Sequence, residues 1–174
     1  MPDNRRIAAD EVHSAIDRMA HQIGERHRLT NSLFLLGIAN GGIALAHKLS
    51  AKLAQAKVGV IDISFHRDDI QRHPIPKEFA PTSIPGDVHG ATVILVDDVL
   101  FSGRTIKAAL DELFDHGRPE KVELAILVDR GGRRLPFAAD FLGLSIEVAA
   151  NEKVVVTLDA ANPSRDEILI RPLS

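Results

Sequence analysis

The sequence predicts an α/β domain, a mostly parallel sheet flanked by helices. Three observations carry that prediction. Short apolar runs alternate with amphipathic stretches along the chain, and two of those runs, VILV and LAILV, are apolar at every position. The polar stretches IANGG, FHRDD, VDDVLFSGRT and VDRGGRR each follow an apolar run. Strands apolar throughout fit a sheet covered on both faces by helices. Ligands of such sheets bind beyond the carboxyl ends of the strands, so the four polar stretches point to one shared site.

Taken in order, Val12, Ala15, Ile16, Met19 and Ile23 mark the buried stripe of a first helix, with Asp10 as its expected N-cap. LFLLGI (33–38) reads as a strand and ends in Ala39-Asn40-Gly41-Gly42; Leu45, Ala46, Leu49 and Leu53 then line a second helix. VGVIDISF (58–65) alternates as a strand does and runs into His66-Arg67-Asp68-Asp69. Residues 70–90 hold four prolines and little periodicity, which predicts an excursion from the core. ATVILV (91–96) is the next strand; Ile106, Ala109, Leu110 and Leu113 give the following helix its apolar face, and Gly117 is its expected stop. VELAILV (122–128) is another strand, and SIEVAA and KVVVTL read as short strands near the C-terminus.

The length of 174 residues suits one domain, 1–174, with a substantial core. With no Cys, disulfides and thiolate metal sites are excluded. The eight His are scattered without HxH or HExxH spacing, which argues against a His-ligated metal site. The N-terminal residues lack the apolar core of a signal peptide and no run approaches a membrane span, so the expected location is the cytoplasm. A net charge of −3 and dispersed basic residues do not support a surface devoted to RNA.

VDDVLFSGRT carries the most chemistry. The backbone amides of Ser102, Gly103, Arg104 and Thr105 fall at a helix start, where unpaired N–H groups and the helix dipole favour an anion. Gly103 permits close approach, and the Ser102 and Thr105 hydroxyls add donors. The Lys of a GxxxxGK[ST] loop is absent. Asp97 and Asp98, just upstream, suit vicinal hydroxyls or a hydrated Mg²⁺. Two acids beside a phosphate cradle suggest a phosphorylated sugar. A phosphoreceiver domain also sets acids after a buried strand, but near the first strand and with no use for the cradle.

This string resembles the 5-phosphoribosyl-1-pyrophosphate (PRPP) signature of type I phosphoribosyltransferases. The wider order DISFHRDD, ILVDDVLFSGRTIKAALDELFDHGRP, LVDRGGRRLPFAADFLG and NEKVVV is similar to the PyrR family of pyrimidine-operon regulators and uracil phosphoribosyltransferases, over most of residues 7–160. The resemblance implies the type I fold with a flap (about 66–90) and a small hood (about 129–160). It implies transfer of phosphoribose from PRPP to uracil, giving UMP and diphosphate with Mg²⁺, in a homo-oligomer. By resemblance, Asp97 and Asp98 hold the ribose hydroxyls and the metal indirectly, Ser102 to Thr105 hold the 5′-phosphate, and Leu100 and Phe101 are further PRPP- or UMP-binding residues. Asn40, Gly41 and Gly42 face the diphosphate, Arg67 neutralises it, Asp68 and Asp69 sit near the metal, and Arg133 contacts substrate, with Arg130 a weaker candidate. The family pattern has a basic residue and a Thr where this chain has Ala39-Asn40-Gly41-Gly42, and a His at Gly132. Two alternatives stay open: an RNA-binding regulator sensing UMP or PRPP with little turnover, and a transferase for another nucleobase.

Overall fold

The computed structural model describes residues 4–68 and 81–173. Its centre is a five-stranded sheet of β2 (Leu33–Ile38), β3 (Ala56–Ile61), β4 (Thr92–Leu100), β5 (Lys121–Asp129) and β6 (Phe141–Ser145), in the order β3-β2-β4-β5-β6. Every pairing in it is parallel. The helices are α1 (Ala9–Arg26), α2 (Gly41–Ser50) and α3 (Arg104–Asp115).

The all-apolar strands are explained by two cores, one on each face. Leu33, Leu35, Ile94, Val96, Ala125 and Leu127 pack with α1 and α2. Their neighbours Phe34, Leu36, Val93, Leu95, Leu124 and Ile126 pack with Ile106, Ala109 and Leu113 of α3. Successive side chains of a strand point to opposite faces, so a strand buried on both has no position for a polar residue.

A second sheet was only half legible in the sequence. Short β1 (Arg5–Ile7), β7 (Glu152–Thr157) and β8 (Glu167–Pro172) form an antiparallel sheet in the order β1-β8-β7. Ile168 of β8 is buried in the α1/α2 core and joins the chain ends to the domain. Asp166, just ahead of β8, is fully buried and accepts from Lys48 Nζ (2.9 Å), His13 Nε2 (2.8 Å) and the Asp159 N–H (2.7 Å).

Several element boundaries differ from those expected. Helix α1 starts at Ala9, and Asp10 lies in its first turn, where its charge favours the helix dipole without capping. Strand β3 stops at Ile61, because the Asp62 carboxylate takes the N–H and hydroxyl of Ser64 and turns the chain. SIEVAA is not a strand; the preceding FLGLS is, with Phe141 buried beside Ala125 of β5. Of the expected flap, residues 69–80 lie outside the described residues, while Ser83 forms one antiparallel bridge with Val60.

Candidate active site

The acid pair is part of strand β4, not a loop beyond it, since pairing with β5 continues to Leu100 opposite Asp129. The burial pattern changes phase across the two acids. Before them Val96 faces the α1/α2 core and Leu95 the α3 core; after them Val99 packs on the first and Leu100 on the second. Asp97 is 7% exposed and accepts the Asp98 N–H at 3.0 Å. Burial, reinforced by the Asp98 charge, holds the Asp97 carboxyl well above the usual range, and burial raises Asp98 as well. The pair thus concentrates negative charge that a cation or hydroxyl donors would relieve.

Two glycines bring α2 against these acids. A Cβ on Gly42 would lie 2.0 Å from the Val96 carbonyl oxygen, and one on Gly41 2.6 Å from Asp98 Oδ1. Neither has positive φ, so the Gly pair is required by close approach rather than by a turn. Asn40 and Gly41 remain exposed at the start of the helix, where its first amides have no partner within the helix.

The residues expected to cradle a phosphate, Ser102 to Thr105, lie at the start of α3. Gly103 takes φ 94 at the N-cap, and the first N–H returning to it is that of Lys107, at 3.0 Å. The amides between them therefore lie in the orphan first turn of a helix. Ser102 Oγ accepts from the Arg104 N–H (3.3 Å), and the Ser102 carbonyl accepts from Arg134 and Leu135 (2.9 Å each). The cradle is thereby buttressed by the chain after β5. Gly103 itself is buried beneath Phe137 and Leu135.

A pocket of about 510 Å³ opens where β2, β3 and β4 end. Asn40 lines it from the chain after β2, Arg67 and Asp68 from the chain after β3, and Asp97 and Asp98 from β4 itself. Ser102, Arg104 and Thr105 complete it from the start of α3. Arg104 reaches across to Asp68 at 2.5 Å and straps the two sides. Gly41, Gly42, Leu100, Phe101, Gly103 and Arg133 are not among its lining residues: the glycines support the wall, Leu100 belongs to the α3 core, and Phe101 lies outside, half exposed. Asp69 is outside the described residues.

Asp62 and Ser64 also line the pocket, and the sequence did not single them out. The available signal was an acid interrupting the alternation of VGVIDISF. Asp62 is buried, and its N–H donates to Thr82 Oγ1 at 2.9 Å.

The expected hood residues make a scaffold beside the site. Arg133 donates from Nε to the Phe137 carbonyl (2.8 Å), from Nη1 to the Phe101 carbonyl (2.7 Å), and pairs with Asp129 (2.5 Å). Its guanidinium staples the loop after β5 to the loop after β4. Arg130 lies 4.0 Å over the Phe101 ring, and a Cβ on Gly132 would meet that half-exposed ring at 2.4 Å, so a larger residue there must displace the ring and adopt the φ of 78 that favours glycine.

Known proteins share this sequence pattern and fold. The phosphoribosyl transferase domain family matches residues 8–160. A protein of Geobacter sulfurreducens named bifunctional protein PyrR is 45% identical over 163 residues, covering 91% of this chain and 92% of that one. A Streptomyces coelicolor protein of the same name is 47% identical over 170 residues, covering 94% and 87%. The hypoxanthine phosphoribosyltransferase of Trypanosoma cruzi shares the fold, with a TM-score of 0.70, 21% identity and 95% coverage of each chain. With its parallel sheet, acid pair and helix-start cradle in one pocket, the chain belongs to the phosphoribosyl transferase domain family and, within it, to the PyrR family.

Proposed function

We propose that the chain transfers phosphoribose from PRPP to uracil, releasing diphosphate and forming UMP. The observation that carries this reading is the shared pocket of the Asp97-Asp98 pair and the Ser102–Thr105 helix start. The 5′-phosphate sits against the amides and hydroxyls at the start of α3, with the ribose hydroxyls on the two carboxylates. Asn40 and the start of α2 receive the diphosphate, and Arg67 offsets its charge. As the bond from C1 to the diphosphate oxygen breaks, the sugar becomes cationic, and uracil N1, giving up its proton to the departing diphosphate, supplies the electron pair of the new bond. The acids stabilise the sugar, and a closed pocket keeps water from C1.

The buried, mutually repelling carboxylates fit a hydrated divalent cation. Bound Mg²⁺ supplies charge neutralisation for PRPP, held by Asp97 and Asp98 through waters. We assign the cover of the site to residues 66–90 and the uracil hood to 129–160, in one domain spanning 1–174. A homo-oligomer in the cytoplasm completes the reading; among the described residues no helix is long and apolar enough to cross a membrane.

Purified protein with PRPP, Mg²⁺ and a panel of nucleobases tests the proposal. UMP from uracil is expected; turnover confined to a purine would transfer the reading to another base, and no turnover with any base would sink it. One observation favours a second reading. Ala39, Asn40, Gly41 and Gly42 bring no cationic side chain to the diphosphate side, which suits a nucleotide-sensing RNA regulator with little turnover. Filter binding to pyrimidine-leader RNA, with and without UMP and across salt, decides it; absent or salt-insensitive binding rejects it.

A further inference from the structure

The linear spacing of the His residues offered no metal pattern, yet the fold assembles one away from the nucleotide pocket. His66 Nε2 lies 3.1 Å from Glu112 Oε2 and 3.0 Å from Asp115 Oδ2. One donor atom from each of the three falls within 4.8 Å of the others. His66 comes from the chain just past β3, whereas Glu112 and Asp115 are one turn apart at the end of α3. None of the three lines the pocket at the strand ends.

Geometry and surroundings both suit an ion. Donors bound tetrahedrally at about 2.0–2.1 Å lie about 3.3 Å apart, so two edges of the triangle are within a few tenths of an ångström of that spacing. The side chains of His66 and Glu112 are 25% and 15% exposed and that of Asp115 is 65% exposed, so the cluster is set into the surface on one side and open to solvent on the other. The second oxygen of Glu112 is held by Thr82 Oγ1 at 2.8 Å and His116 Nε2 at 3.1 Å. Such outer hydrogen bonds orient a ligating carboxylate. Two carboxylates balance a divalent charge. The imidazole nitrogen selects for the zinc class over Mg²⁺ or Ca²⁺, which prefer oxygen alone.

We propose that His66, Glu112 and Asp115 form a binding site for a zinc-class divalent cation, with water completing the shell. The ion ties the chain after β3 to the end of α3, next to Arg67 and Asp68 of the pocket wall. Its binding is independent of the transferase reading and is measured without PRPP.

Metal-free protein is titrated with ZnCl₂ by calorimetry, and with Co²⁺ by visible absorption, which reports coordination geometry. One equivalent per chain in the micromolar range or tighter is expected, unaffected by excess Mg²⁺ and accompanied by a rise in Tm. His66→Gln and Asp115→Asn should each weaken binding about tenfold or more, while His21→Gln on helix α1 should not. Circular dichroism checks that each variant is folded, and exposed Asp115 gives a second variant should His66→Gln fail to fold. Absent Zn²⁺ uptake, or equal uptake by wild type and both cluster variants, would overturn the site and leave an ion-pair network only.

Discussion

The Asp98 backbone N–H donates to the Asp97 carboxylate at 3.0 Å, so the two acids are bonded neighbours within one buried strand. The hydrogen bonds to the pair do not offset its burial, and both carboxyls are raised. The pair is a destabilised element in the wall of the pocket, an arrangement common at functional sites.

Replacing Asp97 by Asn should therefore separate stability from function. A carboxyl raised in the folded state binds protons more tightly there than in the unfolded chain. The resulting penalty is absent near pH 3, where both states are protonated, and grows as pH rises from the unfolded value toward the folded one. Asp97→Asn removes it and should raise Tm at pH 7.5 by a few degrees, about 1 kcal/mol, with no gain near pH 3. Transfer should fall on the order of 100-fold. Thermal melts across pH beside a PRPP assay read both, and a lower Tm at pH 7.5 contradicts the argument.

Gly42→Ala should behave in the opposite way. Its Cβ would stand 2.0 Å from the Val96 carbonyl, a backbone atom that cannot step aside. A loss of about 2–3 kcal/mol is expected from overpacking, seen as a lower urea midpoint. Gly41→Ala meets the Asp98 side chain instead and should reduce turnover more than stability.

Glu123 should be one source of acid sensitivity, beside Asp166 and Glu112, whose carboxyls are lowered as well. The buried Glu123 carboxyl would be raised by desolvation, but bonds from Lys121 (2.8 Å), His27 (2.5 Å) and Arg26 (3.2 Å) bring it below its ordinary value. A depressed acid contributes stability above its unfolded pKa and loses it as pH falls through the folded one. Glu123→Gln should cost about 3 kcal/mol at pH 7, and the gap to wild type should close below about pH 4. Urea titrations at both pH values measure this.

The diphosphate side is open to a gain of function. Ala39 lines the pocket and brings no charge. Ala39→Arg should lower the KM for PRPP severalfold, through about 1 kcal/mol of new charge pairing, with kcat changed less. An unchanged KM would mean that diphosphate lies elsewhere.

Arg133→Lys should not substitute for arginine. One ammonium cannot serve the Phe137 carbonyl, the Phe101 carbonyl and Asp129 in the fixed geometry of the guanidinium. Loosening of this staple should raise the KM for the nucleobase and leave the PRPP KM close to wild type, in steady-state kinetics with each substrate varied.

The sequence alone determined the layers and the helix start after the acid pair. Apolar runs of four to six residues bounded by Gly and polar turns are too short for buried helices, so LFLLGI, VILV and LAILV read as strands between two helix layers, and a Gly before an amphipathic run marks the start of α3. It missed β1 and β8: a three-residue strand has no pattern of its own, and β8, the middle strand of its sheet, is defined by pairing with β1 on one side and β7 on the other. The staple made by Arg133 was equally hidden, since residue type does not reveal which carbonyls will surround a guanidinium. Tertiary structure decided which side chains meet: Asp62 and Ser64 at the pocket, Glu123 with His27, and His66 with Glu112 and Asp115. Those contacts are set by sheet order and helix docking, most of them between residues far apart in the chain, and local spacing does not encode their distances.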